Sequence, residues 1–231
     1  MTSLVLLPGM MCDARLFGPQ IKALSGRLPM HLAPITGEEI IEALAASVLD
    51  HAPRRFSLVG LSMGGIVAME VIRQAPDRVD RLALLDTNPR AELDEVKQRR
   101  EPQIEKVRAG YLREVMRDEL KPNYLANGPK RQEVLDLCMD MALDLGPEVF
   151  ERQSRALQTR PDQQDALKSV SVPTLVLMGE EDRLCPRDRH ELMQRLIPNA
   201  RLEIVSGAGH LPTLERPDTV NNAFKTWLEL S

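Results

Sequence analysis

Aromatic side chains make up only 3% of the 231 residues: four Phe, two Tyr and one Trp. So sparse a set excludes the base-stacking platforms that hold single-stranded nucleic acid. Positive charge is not in surplus either. Thirty Lys and Arg face 34 Asp and Glu, a net charge of −4, whereas a nucleic-acid surface needs a basic excess. Cysteine is scarce and odd in number. Cys12, Cys138 and Cys185 lie far apart without metal-ligand spacing, which implies reduced thiols in a cytoplasmic protein rather than a disulfide framework. Long apolar runs are missing too. The N-terminal "MTSLVLLPGM" is too short to cross a membrane and has no basic segment before it, so neither a span nor a signal peptide is expected.

What is present is a soluble-type composition, 43% hydrophobic and 28% charged, arranged as alternating strands and helices. "SLVLLPG" is a short strand, apolar throughout and closed by Pro8 and Gly9. "PQIKALSGRL" follows as a helix, "MHLAPI" as a weak strand, and "GEEIIEALAASVLDHA" as a helix with acidic residues in its first turn. "RFSLVGL" is the third strand, "GGIVAMEVIRQA" its helix, and "VDRLALLD" the fourth strand. From about Asn88 to Asp165 no strand is expected. "EVKQRREPQIEKVRAGYLREVMRDEL" and "KRQEVLDLCMDMALDLG" read there as amphipathic helices. Strands return with "PTLVLMG" and "ARLEIVSGAG", and "DRHELMQRLI" and "RPDTVNNAFKTWLEL" are their helices.

This alternation implies the α/β class: a mostly parallel sheet covered by helices on both faces. Residues 1–87 and 166–231 would form its core, and residues 88–165 a helical insertion. An insertion after a parallel strand emerges at the strands' carboxyl edge, where open sheets bind ligands, so it is placed to form a lid.

The stretch "GLSMGG" meets the pattern G-x-S-x-G with Gly60, Ser62 and Gly64, between a strand and a helix. Such a turn is a nucleophile elbow: the backbone reverses sharply, flanking side chains would collide, and the serine hydroxyl projects over the sheet edge at a helix N-terminus. A serine hydroxyl needs a base. Of the four histidines, His31 is assigned to the weak strand, His51 to a helix end and His190 to a helix interior. His210 follows "SGAG" on a loop at the edge that carries Ser62. The base in turn needs an acid to hold its tautomer. Asp182, in "GEEDRLCP", leads over its neighbours Glu180 and Glu181 and over Asp86 at the end of the fourth strand; Asp86 stays open as the rival. Backbone N–H groups of Met63 and of Met10, in "LPGMMCD", are the candidate oxyanion donors, with Gly9 allowing close approach.

These segments together resemble the α/β-hydrolase superfamily. "LVLLPGMMCDARLF" resembles its oxyanion segment, "GLSMGGIVAMEVIRQAPDRVDRLALLD" its elbow, helix and next strand, "PTLVLMGEEDRLCP" its acid loop and "IVSGAGHLPTLERPDTV" its histidine loop. The resemblance implies an α/β-hydrolase fold without the usual N-terminal hairpin, leaving "MHLAPI" as an edge strand. Small bacterial carboxylesterases with helical lids are similar in plan.

The reading that follows is a serine hydrolase of carboxylic esters, with Ser62, His210 and Asp182 as triad, working through an acyl-enzyme and needing no cofactor or metal. Thioester, carbon–carbon bond and peroxide chemistry on the same triad stay open, as does a non-catalytic receptor or carrier-binding role. Tyr111, Met116 and Met139 are the candidate pocket residues of the lid. Arg108, Arg113, Arg117, Arg152 and Arg155 would serve either an acidic carrier protein or solvated helix faces.

Overall fold

The computed structural model describes residues 2–230. Six parallel strands form one sheet in the order β2-β1-β3-β4-β5-β6. They are β1 (Ser3–Leu7), β2 (Met30–Leu32), β3 (Phe56–Leu61), β4 (Val79–Leu85), β5 (Thr174–Gly179) and β6 (Ala200–Val205). β2 is only three residues long and lies at an edge, where shortness limits pairing with other chains.

Alternate residues of the central strands feed two cores. Leu4, Leu6, Val59, Leu61, Leu85, Leu175 and Leu177 join one cluster; Val5, Leu7, Leu58, Leu82, Leu84 and Val176 join the other. Period-2 alternation inside a continuously apolar strand is what a sheet buried on both faces requires. Helices α1 (Gly18–Leu24), α2 (Ile41–His51) and α3 (Met63–Gln74) link the first four strands. α2 begins later than "GEEIIEAL" suggests: Ile40 is extended, Ile41 is buried, and only Glu42 remains of the acidic first turn.

Between β4 and β5 the chain is helical: α4 (Asp94–Arg108), α5 (Leu112–Glu114), α6 (Arg131–Leu145), α7 (Pro147–Gln158) and α8 (Gln164–Lys168). The single helix expected over α4 and α5 breaks at Gly110, whose φ is 95°, and α5 runs on into a π-helical turn over Val115–Leu120. α7 is an additional helix, beyond those expected between β4 and β5. Its signal is the apolar stripe of Val149, Phe150, Ala156 and Leu157 after Gly146-Pro147. This segment has its own cluster, with Ile104, Val107, Met116, Met139 and Phe150 buried together. α9 (Arg187–Leu196), α10 (Pro212–Glu215) and α11 (Pro217–Leu228) complete the fold. Among the described residues no helix is long and apolar enough to cross a membrane.

Candidate active site

Because every strand runs the same way, the loops after β1, β3, β4, β5 and β6 all emerge at one sheet edge. Ser62 sits between β3 and α3 with φ 55° and ψ −115°. That conformation costs a non-glycine residue about 1–3 kcal/mol, and the packing around it holds it in place. A Cβ on Gly60 would run into the Gly64 carbonyl, and one on Gly64 into the Leu7 carbonyl of β1. Ser62 N–H donates to Leu85 O (2.9 Å), and Thr87 Oγ1 donates to Ser62 O (2.7 Å). Gly9 turns out not to be sterically required: a Cβ there would meet Ser62 Cβ at 3.5 Å, an ordinary contact. The closeness of the β1 and elbow backbones is set by Gly64.

His210 Nε2 lies 2.9 Å from Ser62 Oγ, and His210 Nδ1 lies 2.9 Å from Asp182 Oδ2. Asp182 Oδ1 accepts from the N–H groups of Leu184 (2.8 Å) and Cys185 (3.1 Å). With Nδ1–H donated to Asp182, Nε2 presents its lone pair to the serine hydroxyl. Burial alone would push the Asp182 carboxyl up; the neighbouring imidazole and the two N–H donors outweigh it and hold it below the ordinary carboxylate range.

Asp86 is also buried at this edge, with φ 44°. Its Oδ1 accepts from Gly179 N–H (2.8 Å), and its Oδ2 has no partner. Burial, then the negative charge of Asp182, push its carboxyl well above the usual range. The structure thus joins Asp182, not Asp86, to His210. Glu180 and Glu181 are exposed on the same loop. His31 lies in β2 and His51 ends α2. His190 is fully buried, accepts from Thr87 N–H at 3.2 Å through Nε2, and is pushed down to about 4 by burial.

The N–H groups of Met10 and Met63 donate to no backbone carbonyl among the described residues. Met63 is the first residue of α3, where N–H groups have no intrahelical acceptor. Met11 N–H, by contrast, is taken by Gln153 Oε1 (2.8 Å). A cavity of about 630 Å³ opens over these groups, and Met10, Ser62, Met63 and His210 all line it. A hydroxyl, a base and two unused donors around one cavity can activate an oxygen nucleophile and stabilise an oxyanion.

Cys185, Asp182 and His210 bring one ligand atom each within 4.8 Å of one another. The set does not suit a metal. Both imidazole nitrogens are engaged in hydrogen bonds, and burial pushes the Cys185 thiol up, away from the thiolate a metal needs.

The expected pocket residues lie elsewhere. Met116 and Met139 are packed inside the α4–α7 cluster, Tyr111 is 55% exposed, and none of the three lines the cavity. Methionines at helical spacing here fill a core. The wall is made instead by Leu93, Val96, Leu120, Leu157 and Tyr124, together with arginines, of which Arg99 and Arg100 lie on α4 and Arg160 just past the end of α7. Tyr124 packs with its ring centroid 6.1 Å from that of His210, whose N–H donates to Tyr124 O (2.7 Å). Glu215 carries no sequence signal of its role at this edge. It accepts from the N–H groups of Ala126 (2.8 Å), Gly209 (2.9 Å) and Leu211 (3.1 Å), tying the helical insertion to the loop that bears His210.

Known proteins share this organisation over nearly the full length. The pimeloyl-[acyl-carrier protein] methyl ester esterase of Nitrosomonas europaea is 25% identical over 242 residues, spanning 96% of this chain and 93% of that protein. Among solved structures, a thermophilic esterase from Thermogutta terrifontis, with malate bound, superposes with a TM-score of 0.90 at 30% identity, covering 99% of this chain and 90% of the other. The enol-lactonase of Burkholderia xenovorans LB400 shares the fold with a TM-score of 0.88 at 24% identity, over 99% of this chain and 91% of that one. Residues 4–223 match the Alpha/beta hydrolase family. A parallel sheet with this strand order, a match to that family from β1 into α11, and esterase relatives matched over 90% or more of their length make the chain a member of the alpha/beta hydrolase family and a hydrolase enzyme.

Proposed function

We propose that the protein hydrolyses carboxylic esters through Ser62, His210 and Asp182. The observation that carries this reading is the continuous chain of 2.9 Å contacts from Ser62 Oγ through the imidazole to Asp182, opening on a cavity. Ser62 Oγ attacks the ester carbonyl while His210 Nε2 takes its proton. Asp182 holds the tautomer and stabilises the imidazolium. The Met10 and Met63 N–H groups receive the oxyanion. The imidazolium returns its proton to the leaving alcohol, and a water activated by His210 then releases the acid and frees Ser62. Esterase relatives at 25–30% identity support the ester class.

Residues 88–165 act in this reading as a lid, since Glu92, Arg100, Leu120 and Tyr124 of that segment wall the cavity. The carrier-protein reading draws on the pimeloyl-[acyl-carrier protein] relatives, but Arg108, Arg117 and Arg155 are already paired with Glu151, Asp118 and Glu101. The free thiols of Cys12, Cys138 and Cys185 support a reducing, cytoplasmic setting.

The test is a fluorophosphonate followed by peptide mapping, alongside p-nitrophenyl esters of graded acyl length and matched thioesters. Ser62 should be the labelled residue, esters should turn over, and Ser62→Ala should lose both. Labelling at another serine with activity intact in Ser62→Ala would reject the reading.

A further inference from the structure

The protein is acidic overall, yet six arginines and only two glutamates line the cavity over Ser62. One glutamate, Glu119, is neutralised by Lys106 at 2.7 Å. The other, Glu92, is shared by two arginines. Arg100 Nη2 lies 3.1 Å from Glu92 Oε2, and Arg160 Nη2 lies 3.1 Å from Glu92 Oε1. All three side chains are largely out of water: Glu92 is 7% exposed, Arg160 9% and Arg100 14%.

Two guanidiniums and one carboxylate leave an uncompensated positive charge in a low-dielectric setting. A salt bridge that served only to tie segments of the insertion to one another would need one cation for its one carboxylate. The donors are not used up either. Both Nε–H groups are enclosed without a partner. Arg100 Nη1 reaches only the Met10 sulfur, at 3.9 Å, and Glu92 is the only ion-pair partner of Arg160 among the described residues. Burial of an unpaired charge is costly unless an opposite charge joins it. Further charge of the same sign stands nearby: Arg99 and Arg183 line the cavity with no ion-pair partner among the described residues.

The position couples this charge to the reacting groups. Arg100 reaches the side chain of Met10, a residue of the same cavity, and Arg160 lines that cavity together with Cys185, whose N–H donates to Asp182. Arg99 and Arg183 are exposed to water; the enclosed surplus, at Glu92, is one charge on planar guanidiniums, which a single carboxylate neutralises.

Resting on the ester-hydrolase reading above, we propose that the substrate is an ester that also carries a free carboxylate, and that Arg100 and Arg160, held by Glu92, form the subsite that receives it.

Two measurements test this. In the first, kcat/KM is compared for the monomethyl esters of succinic, glutaric and adipic acid, for the butyryl ester of glycolic acid, and for the matching uncharged diesters. At least one charged ester should be preferred over its uncharged counterpart by tenfold or more. Arg100→Gln and Arg160→Gln should bring that ratio down at least tenfold, and Arg160→Lys should recover part of it. The ratio is internal to each variant, so a general loss of activity does not imitate the effect. A ratio unmoved in both glutamine variants would overturn the proposal.

The second measurement needs no turnover and no variant. Calorimetry on the unmodified protein compares glutaramate, which has one carboxylate, with glutaramide, which has none, and with inorganic phosphate at matched ionic strength. Glutaramate should bind at least tenfold more tightly than either. Equal binding of glutaramide, or phosphate binding as well as glutaramate, would overturn the carboxylate subsite. If no ester is hydrolysed while glutaramate binds selectively, the ester reading fails and the anion subsite stands.

Discussion

Asp182 and Asp86 end adjacent strand–loop junctions, are both buried, and play different parts: Asp182 Oδ2 meets the His210 ring at 2.9 Å, while Asp86 Oδ1 accepts the N–H of Gly179, the last residue of β5. Burial, and after it the charge of Asp182, keep the Asp86 carboxyl protonated to higher pH, and that proton relieves the repulsion between the two acids. Asparagine should therefore stand in for Asp86 and not for Asp182. Asp182→Asn is expected to lower kcat by roughly 10⁴, the cost of a wrongly held imidazole tautomer. Asp86→Asn should lose far less, since its Oδ1 role as acceptor of the Gly179 N–H is one an amide oxygen can fill. Steady-state kinetics on both variants, with circular dichroism to verify folding, decides between them.

His190 makes stability depend on acid. Its folded value of about 4 is below the ordinary 6.5 of an unfolded histidine, because burial disfavours the charged ring. Between those two values the unfolded chain binds the extra proton, so stability rises with pH and is lost as pH falls from 6.5 towards 4. The loss should approach about 3 kcal/mol. Urea unfolding at pH 4.5 and pH 7 should show a steeper acid loss for the unmodified protein than for His190→Gln. Asp86, raised rather than lowered, contributes with the opposite sign, and it is present in both proteins.

Substrate ranking should answer to the cavity wall and not to the methionine core. Val96→Phe and Leu120→Phe narrow the cavity, and should shift preference towards shorter acyl groups in a p-nitrophenyl ester series. Met139→Ala empties a site in the α4–α7 cluster. It should cost about 2–5 kcal/mol in denaturant unfolding and leave the ranking as it was.

Glu215 holds the loop of His210 by accepting three backbone N–H groups. Alanine leaves those donors unmet, at about 1–3 kcal/mol for each one that water cannot reach. Glu215→Ala should lower both the unfolding midpoint and kcat, and Glu215→Gln, which retains one acceptor oxygen, should recover part of each. Thermal melts paired with kinetics read this out.

Much of the architecture is written in short stretches. "SLVLL", "FSLVGL" and "TLVLMG" are apolar on both faces, and only a sheet covered on both sides accepts them. "GLSMGG" dictates its own turn, since Gly60 and Gly64 leave room for two backbones that any side chain would separate. The chain order of Ser62, Asp182 and His210 could be read because each follows a recognisable strand. These are local matters of period and turn chemistry, decided within about ten residues. The distinction between Asp86 and Asp182 was not local. It depends on the register of β4 against β5 and on the positive φ that turns Asp86 towards Gly179. The cavity wall was not local either. Arg100 on α4 and Arg160 just past the end of α7, 60 positions apart, have the charge of surface residues, and only the folding of the helical segment over the sheet edge encloses both guanidiniums around one glutamate. A side chain's period says which face of its helix it occupies. What that face meets is decided by the packing of segments that have no sequence neighbourhood in common.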